Sequence, residues 1–161
     1  MEPQNFAKMG IEIGKKAPEF KGIDQEGNVI RLKDFTGKKL ALYFYPADNT
    51  PSCTVQACNL RDNFSALIDA GIQIVGVSPD SAKKHQHFIG KHQLPFPLIA
   101  DVDTKIAQAY GVWGPKKFMG REYVGLIRTT FVINEKGKLI AIINRPKTKD
   151  HAAEILAAFN A

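Results

Sequence analysis

The chain has 161 residues, 44% hydrophobic and 24% charged, with a formal net charge of +6. Those totals fit one globular domain, residues 1–161, with a sizeable core, and no internal repeat or low-complexity linker divides it. No apolar run approaches the roughly 20 residues that span a bilayer, which speaks against a membrane protein. Met1 to Gly10 lacks the basic head and apolar run of a signal peptide, so the expected compartment is a reducing cytoplasm. Two cysteines there read as redox-active rather than as a permanent staple. Lys and Arg are scattered in short pairs such as Lys15-Lys16 and Lys116-Lys117, without interleaved aromatics. That pattern fits a solvated basic surface and argues against nucleic acid.

Taken in order, residues 1–16 read as a polar leader, loosely packed and loosest over 1–10. Phe20 to Ile23 and Val29 to Leu32 form an N-terminal hairpin around Asp24-Gln25-Glu26-Gly27-Asn28, and Leu32 to Phe35 a short helical turn. The near-continuous apolar run 39–45 reads as a central strand buried on both faces. A helix follows from about Cys53 to Ala70, stopped by Gly71. Then come a strand at 72–77, a helix opened by Pro79-Asp80-Ser81 and running to about His92, and a short strand at 96–100. A short helix capped by Asp103 or Thr104 is next, and then a long loop from Gly111 to Gly125. Two strands, 127–134 and 138–144, pair around Glu135-Lys136-Gly137. Asp150 caps a last helix with Ile155, Leu156 and Phe159 on one face. This order implies an α/β fold, a central mixed sheet with helices on both faces, and a site beyond the carboxyl ends of its strands.

Chemistry concentrates between the 39–45 strand and the helix after it. Pro46, Asp48, Asn49, Thr50 and Pro51 favour turns and caps, with Thr50 or Ser52 as cap and Pro51 as first helical residue. Cys53 then lies in the first helical turn, where unpaired N–H groups and the helix dipole favour a thiolate. Cys58 is five residues on. On an intact helix the two Cα atoms are roughly 8.6 Å apart, from the rise, radius and turn of an α-helix. A disulfide needs less than about 7 Å. Either the thiols never bond, or the first turns unwind first. Cys53 shares a face with Ala57, Leu60 and Phe64, and Cys58 a more polar one with Asp62, Ser65 and Asp69. The spacing is not that of a C-x-x-C dithiol. It suits a thiolate that reacts alone, as with a hydroperoxide, and is resolved afterwards.

Pro46, Thr50 and Cys53 match the P-x-x-x-T-x-x-C signature, and the chain resembles the peroxiredoxins. Cys58 matches the atypical two-cysteine subgroup called peroxiredoxin Q or bacterioferritin comigratory protein. The likeness runs in order over about residues 11–160 and includes Tyr43-Phe44-Tyr45-Pro46, Ala109 to Gly114, and Gly125 to Ile133. It implies a thioredoxin-like fold and a thiol peroxidase for H₂O₂ and small organic hydroperoxides. Cys53 would be peroxidatic and Cys58 resolving. Thr50 would offer its hydroxyl to the peroxide, Pro46 would shield the sulfur, and Arg128 would hold thiolate and peroxide. The resemblance also implies recycling by thioredoxin or a similar dithiol, no metal or organic cofactor, and often a monomer. Ser52, Gln56 and Thr129 stand where the family usually has Gly, Glu and Ser; these bear on rate and unwinding rather than on whether the enzyme works.

Other readings stand beside this one. With an inert Cys58 the chain is a one-cysteine peroxidase resolved by an outside thiol. A thioredoxin-fold protein disulfide oxidoreductase and a non-catalytic binding or chaperone module are further alternatives. His85, His87, His92 and His151 show no metal pairing, and the first two read as a solvated helix surface. Trp113 and Phe118 read as packing residues, with lining of the site mouth as the alternative.

Overall fold

The structure, a computed structural model, describes residues 6–161. The apolar run becomes strand β3 (Lys39–Phe44), the middle of a five-stranded sheet. Because side chains alternate along a strand, Leu40, Leu42 and Phe44 enter one apolar cluster, and Ala41, Tyr43 and the adjoining Tyr45 enter another. On one side β3 pairs in parallel with β4 (Ile72–Ser78), which pairs in parallel with β5 (Leu98–Ala100). On the other side it pairs antiparallel with β8 (Thr129–Ile133), which forms a hairpin with β9 (Leu139–Asn144). The sheet is therefore mixed, as the element order implies.

Helices α1 (Pro51–Asp62), α2 (Phe64–Asp69), α3 (Ala82–His92) and α5 (His151–Phe159) bury their apolar stripes in the Tyr43 cluster. The opposite face is covered by α4 (Lys105–Ala109), by a 3₁₀ turn at Leu32–Phe35, and by the N-terminal segment. Hairpin β1 (Lys21–Ile23) and β2 (Val29–Arg31) forms as expected, with Asp24 Oδ1 accepting from the N–H groups of Glu26 and Asn28 at 2.9 Å each.

Four expectations are corrected. The helix expected over 53–70 is two, interrupted at Asn63, whose amide side chain donates to the Asn59 carbonyl at 2.8 Å and so competes with the next helical turn. The long loop 111–125 is instead a β-ribbon, β6 (Trp113–Phe118) with β7 (Arg121–Leu126). Its two-residue turn has Met119 at φ 51° and Gly120 at φ 78°. Both angles fit the hairpin turn that matches strand twist. A methionine is no turn signal, and Gly114, Pro115 and paired lysines are poor strand formers, so the ribbon is hidden in the sequence. The leader is not loose where it is described. Phe6 meets Phe131 edge-on at 5.8 Å, Ile11 and Ala17 are buried, and Gly14 and Lys15 exchange backbone bonds with Leu139. The part of that expectation covering residues 1–5 lies outside the described residues. Finally, α4 is capped chiefly by Asp101, whose carboxylate accepts from the N–H groups of Ile106 and Ala107. Thr104 holds the cap position at φ 59° without a side-chain bond.

Candidate active site

The chain leaves β3 at the C-terminal edge of the sheet and turns through residues 45–49 into α1. Asp48 fastens this turn. Its Oδ1 accepts from the Tyr45 hydroxyl at 2.6 Å, its Oδ2 lies 2.6 Å from His85 Nδ1, and its N–H donates to Asp80 at 2.6 Å. His85 is fully buried, with Nε2 3.0 Å from the Ile99 carbonyl. This overturns its reading as a solvated residue. The spacing His85, Phe88, His92 marks one face of α3, and that inward periodicity was the available signal. His151 is likewise buried, between the Thr130 hydroxyl at 2.8 Å and Glu154 at 3.0 Å.

Thr50 takes the N-cap position of α1 and Pro51 the first helical one. The Thr50 hydroxyl donates to the Ala47 carbonyl at 3.1 Å instead of capping a helical N–H. The first intrahelical bond runs from Thr54 N–H to the Thr50 carbonyl. Ser52 and Cys53 therefore keep N–H groups without intrahelical acceptors. Cys53 is 2% exposed, and its Sγ accepts from Arg128 Nη2 at 3.2 Å. Arg128 lies in the short link between β7 and β8. Its other terminal nitrogen donates to Gln56 Oε1, one turn beyond Cys53. Pro46 is half-buried, just beyond the end of β3.

The site also holds polar groups that sequence reasoning missed or, for Gln56, treated only as a departure from the family. Gln56 is fully buried, and its Nε2 has no hydrogen-bond partner among the described residues; the same holds for the Tyr43 hydroxyl. Burial, then the charges of Cys53 and Asp48, hold Tyr43 well above the ordinary tyrosine range, so it stays a neutral phenol. Lys116 reaches in from β6, with Nζ donating to the Leu126 carbonyl at 2.7 Å. Burial and the neighbouring Arg128 lower its proton affinity, and Cys53 acts in the opposite sense. Cys58 is half-buried on α1 and faces α3, with Sγ 3.9 Å from His92 Nδ1. Helix α1 is unbroken across both cysteines, and both thiols are free.

The model of the AhpC/TSA family matches residues 13–142. The chain belongs to that family and is a peroxiredoxin. It is 47% identical over 148 residues to the peroxiredoxin Bcp of Bacillus subtilis, covering 92% of this chain and 94% of that one. It is 41% identical over 146 residues to the peroxiredoxin Bcp of Escherichia coli, covering 91% and 94%. Among solved structures it is similar to a cysteine-to-serine mutant of Xanthomonas campestris peroxiredoxin Q, with TM-score 0.82, 32% identity, and coverage of 88% and 90%. The peroxidoxin BcpB of Mycobacterium tuberculosis gives TM-score 0.82 at 30% identity, covering 93% and 97%. The expected thioredoxin-like fold and subgroup are thus established. The peroxiredoxin is a thiol peroxidase, taking a hydroperoxide as substrate and a thiol as reductant. No helix among its described residues is long and apolar enough to cross a membrane.

Proposed function

We propose that Cys53 is the peroxidatic residue of this peroxiredoxin and Cys58 the resolving one. The observation that carries the assignment is the 3.2 Å bond from Arg128 to Cys53 Sγ in the first turn of α1. A guanidinium and free helical N–H groups beside a sulfur favour its anion, the nucleophilic form. The anion attacks one peroxide oxygen, the O–O bond breaks, and hydroxide or alkoxide leaves, taking up the proton the Cys53 thiol had released to depart as water or an alcohol, while Cys53 becomes a sulfenic acid. Arg128 and the free N–H groups supply donors for the charge on the departing oxygen. The Thr50 hydroxyl orients the peroxide by exchanging its Ala47 bond for one to the ligand, and Pro46 screens the sulfur from water.

Condensation with Cys58 then gives an intramolecular disulfide. It requires the start of α1 to unwind, because an intact helix keeps the sulfurs apart. Thioredoxin or a similar dithiol regenerates both thiols. We further assign residues 1–161 to one domain, acting as a cytoplasmic monomer without metal or organic cofactor. The X. campestris bacterioferritin comigratory protein is described by its alkyl peroxide reduction activity, which supports organic hydroperoxides as substrates here.

The test is mass spectrometry of the reduced protein after one equivalent of H₂O₂. The expected product is a loss of two hydrogens with a linked Cys53–Cys58 peptide. Cys53→Ser should consume no peroxide, and consumption at the parent rate would refute the assignment. A parent protein that stops at the sulfenic acid would be a one-cysteine enzyme.

A further inference from the structure

The second half of α1 is fastened on two sides. Asn59 Nδ2 donates to the Lys149 carbonyl and Asn59 Oδ1 accepts from Ala152 N–H, both at 2.8 Å, which ties the helix to α5. Arg61 Nη1 donates to the His92 carbonyl at 2.8 Å, which ties it to the end of α3. The first turn has the Cys53 side chain packed in the apolar cluster and bonded to Arg128, a bond that weakens once the sulfur is oxidised to a sulfenic acid. For the two sulfurs to meet, we infer that the first turn carrying Cys53 moves while the fastened half keeps Cys58 beside its neighbours. Cys58 Sγ lies 3.9 Å from His92 Nδ1, within reach of a thiol hydrogen bond, and the Arg61 guanidinium acts on the same sulfur.

Resting on the resolving role of Cys58, we propose that His92 is the general base of the resolving step. Its Nδ1 takes the Cys58 thiol proton as the Cys58 sulfur attacks Cys53. The Cys58–Cys53 bond forms and the Cys53 S–O bond breaks. The hydroxide that leaves takes the proton from the imidazolium and departs as water. Cys58 is oxidised and Cys53 reduced by the same count, so no outside reductant enters. Cys58 from α1 lies against the imidazole and Phe88 packs edge-on to it, while the charges of Lys91, Arg61 and His87 act on it; Asp62 is engaged with Arg61 at 2.9 Å. Partial burial, then Lys91, Arg61 and His87, hold His92 below the ordinary histidine range. It is consequently neutral, and able to accept a proton, at neutral pH.

The experiment follows the reduced parent, His92→Asn and His92→Ala after one equivalent of H₂O₂, from pH 5 to 9, with thiols blocked at timed points and species separated by mass. At pH 7 oxidation of Cys53 should be unchanged in both variants, and disulfide formation should slow by roughly a hundredfold, the usual scale of general-base catalysis. The parent rate should fall as the solution is acidified through the His92 titration. The variants should instead rise steadily with pH, and added imidazole should speed His92→Ala. Disulfide formation at the parent rate and pH profile in both variants would overturn the proposal. So would an equal slowing at every pH that imidazole does not relieve, since that marks a packing role. If Cys53 of the parent oxidises without pairing to Cys58, the resolving assignment itself fails, and that result is visible without any variant.

Discussion

Gln56 shows how one side chain sets the field around a sulfur. Arg128 splits its two terminal nitrogens between Cys53 and Gln56. A glutamine accepts the bond without cancelling the charge, whereas the carboxylate more usual in the family would oppose it. Gln56→Glu should therefore slow alkylation of Cys53 by iodoacetamide severalfold, because a carboxylate at position 56 competes with the sulfur for the Arg128 guanidinium. An unchanged rate would mean that Arg128 acts on Cys53 independently of position 56. The short motif around Cys53 is readable because its chemistry is local: prolines, a cap and a cysteine close together in the chain. The Arg128 contact spans 75 positions, and no local pattern encodes it; only resemblance to a family points to it.

Among the elements, α1 has two halves with different duties. Its first turn presents Cys53, and residues 59–61 anchor it to α3 and α5. Asn59→Ala removes both bonds to the α5 end and should cost about 1–3 kcal/mol in urea unfolding. It should also free Cys58 from its station, so that disulfide formation slows while Cys53 oxidation does not. Equal rates for both steps in Asn59→Ala and parent would show that the anchor is irrelevant to resolution. The β6–β7 ribbon carries Lys116 towards the site, yet its sequence lacks alternation and is poor in β-branched residues. Its existence depends on a turn at Met119-Gly120 and on two edges finding each other, which propensity does not capture.

At the scale of the molecule, two buried histidines sit on the side of the sheet that carries Cys53, His85 bonded to the turn before α1 and His151 bonded to β8. Burial holds His151 below the ordinary histidine range, with Glu154 opposing in part. Its native affinity for protons is thus below that of the unfolded chain, whose histidines titrate near about 6.5. The unfolded state binds more protons, so this contribution to stability is complete above about pH 6.5 and is lost as pH falls through the native value. The urea midpoint should drop between pH 7 and pH 5, and His151→Gln should flatten that part of the profile. A midpoint independent of pH in the parent would show that His151 does not govern it.

The order of elements outside 111–125, the mixed sheet and the turn before Cys53 were all in the sequence, because apolar periodicity and turn chemistry act over a few residues. Which histidines are buried, where α1 breaks, that 111–125 pairs with itself, and, apart from what the family resemblance implied, which cation meets Cys53 were not. Each of those depends on groups far apart in the chain being brought into contact, and only the packed molecule fixes such distances.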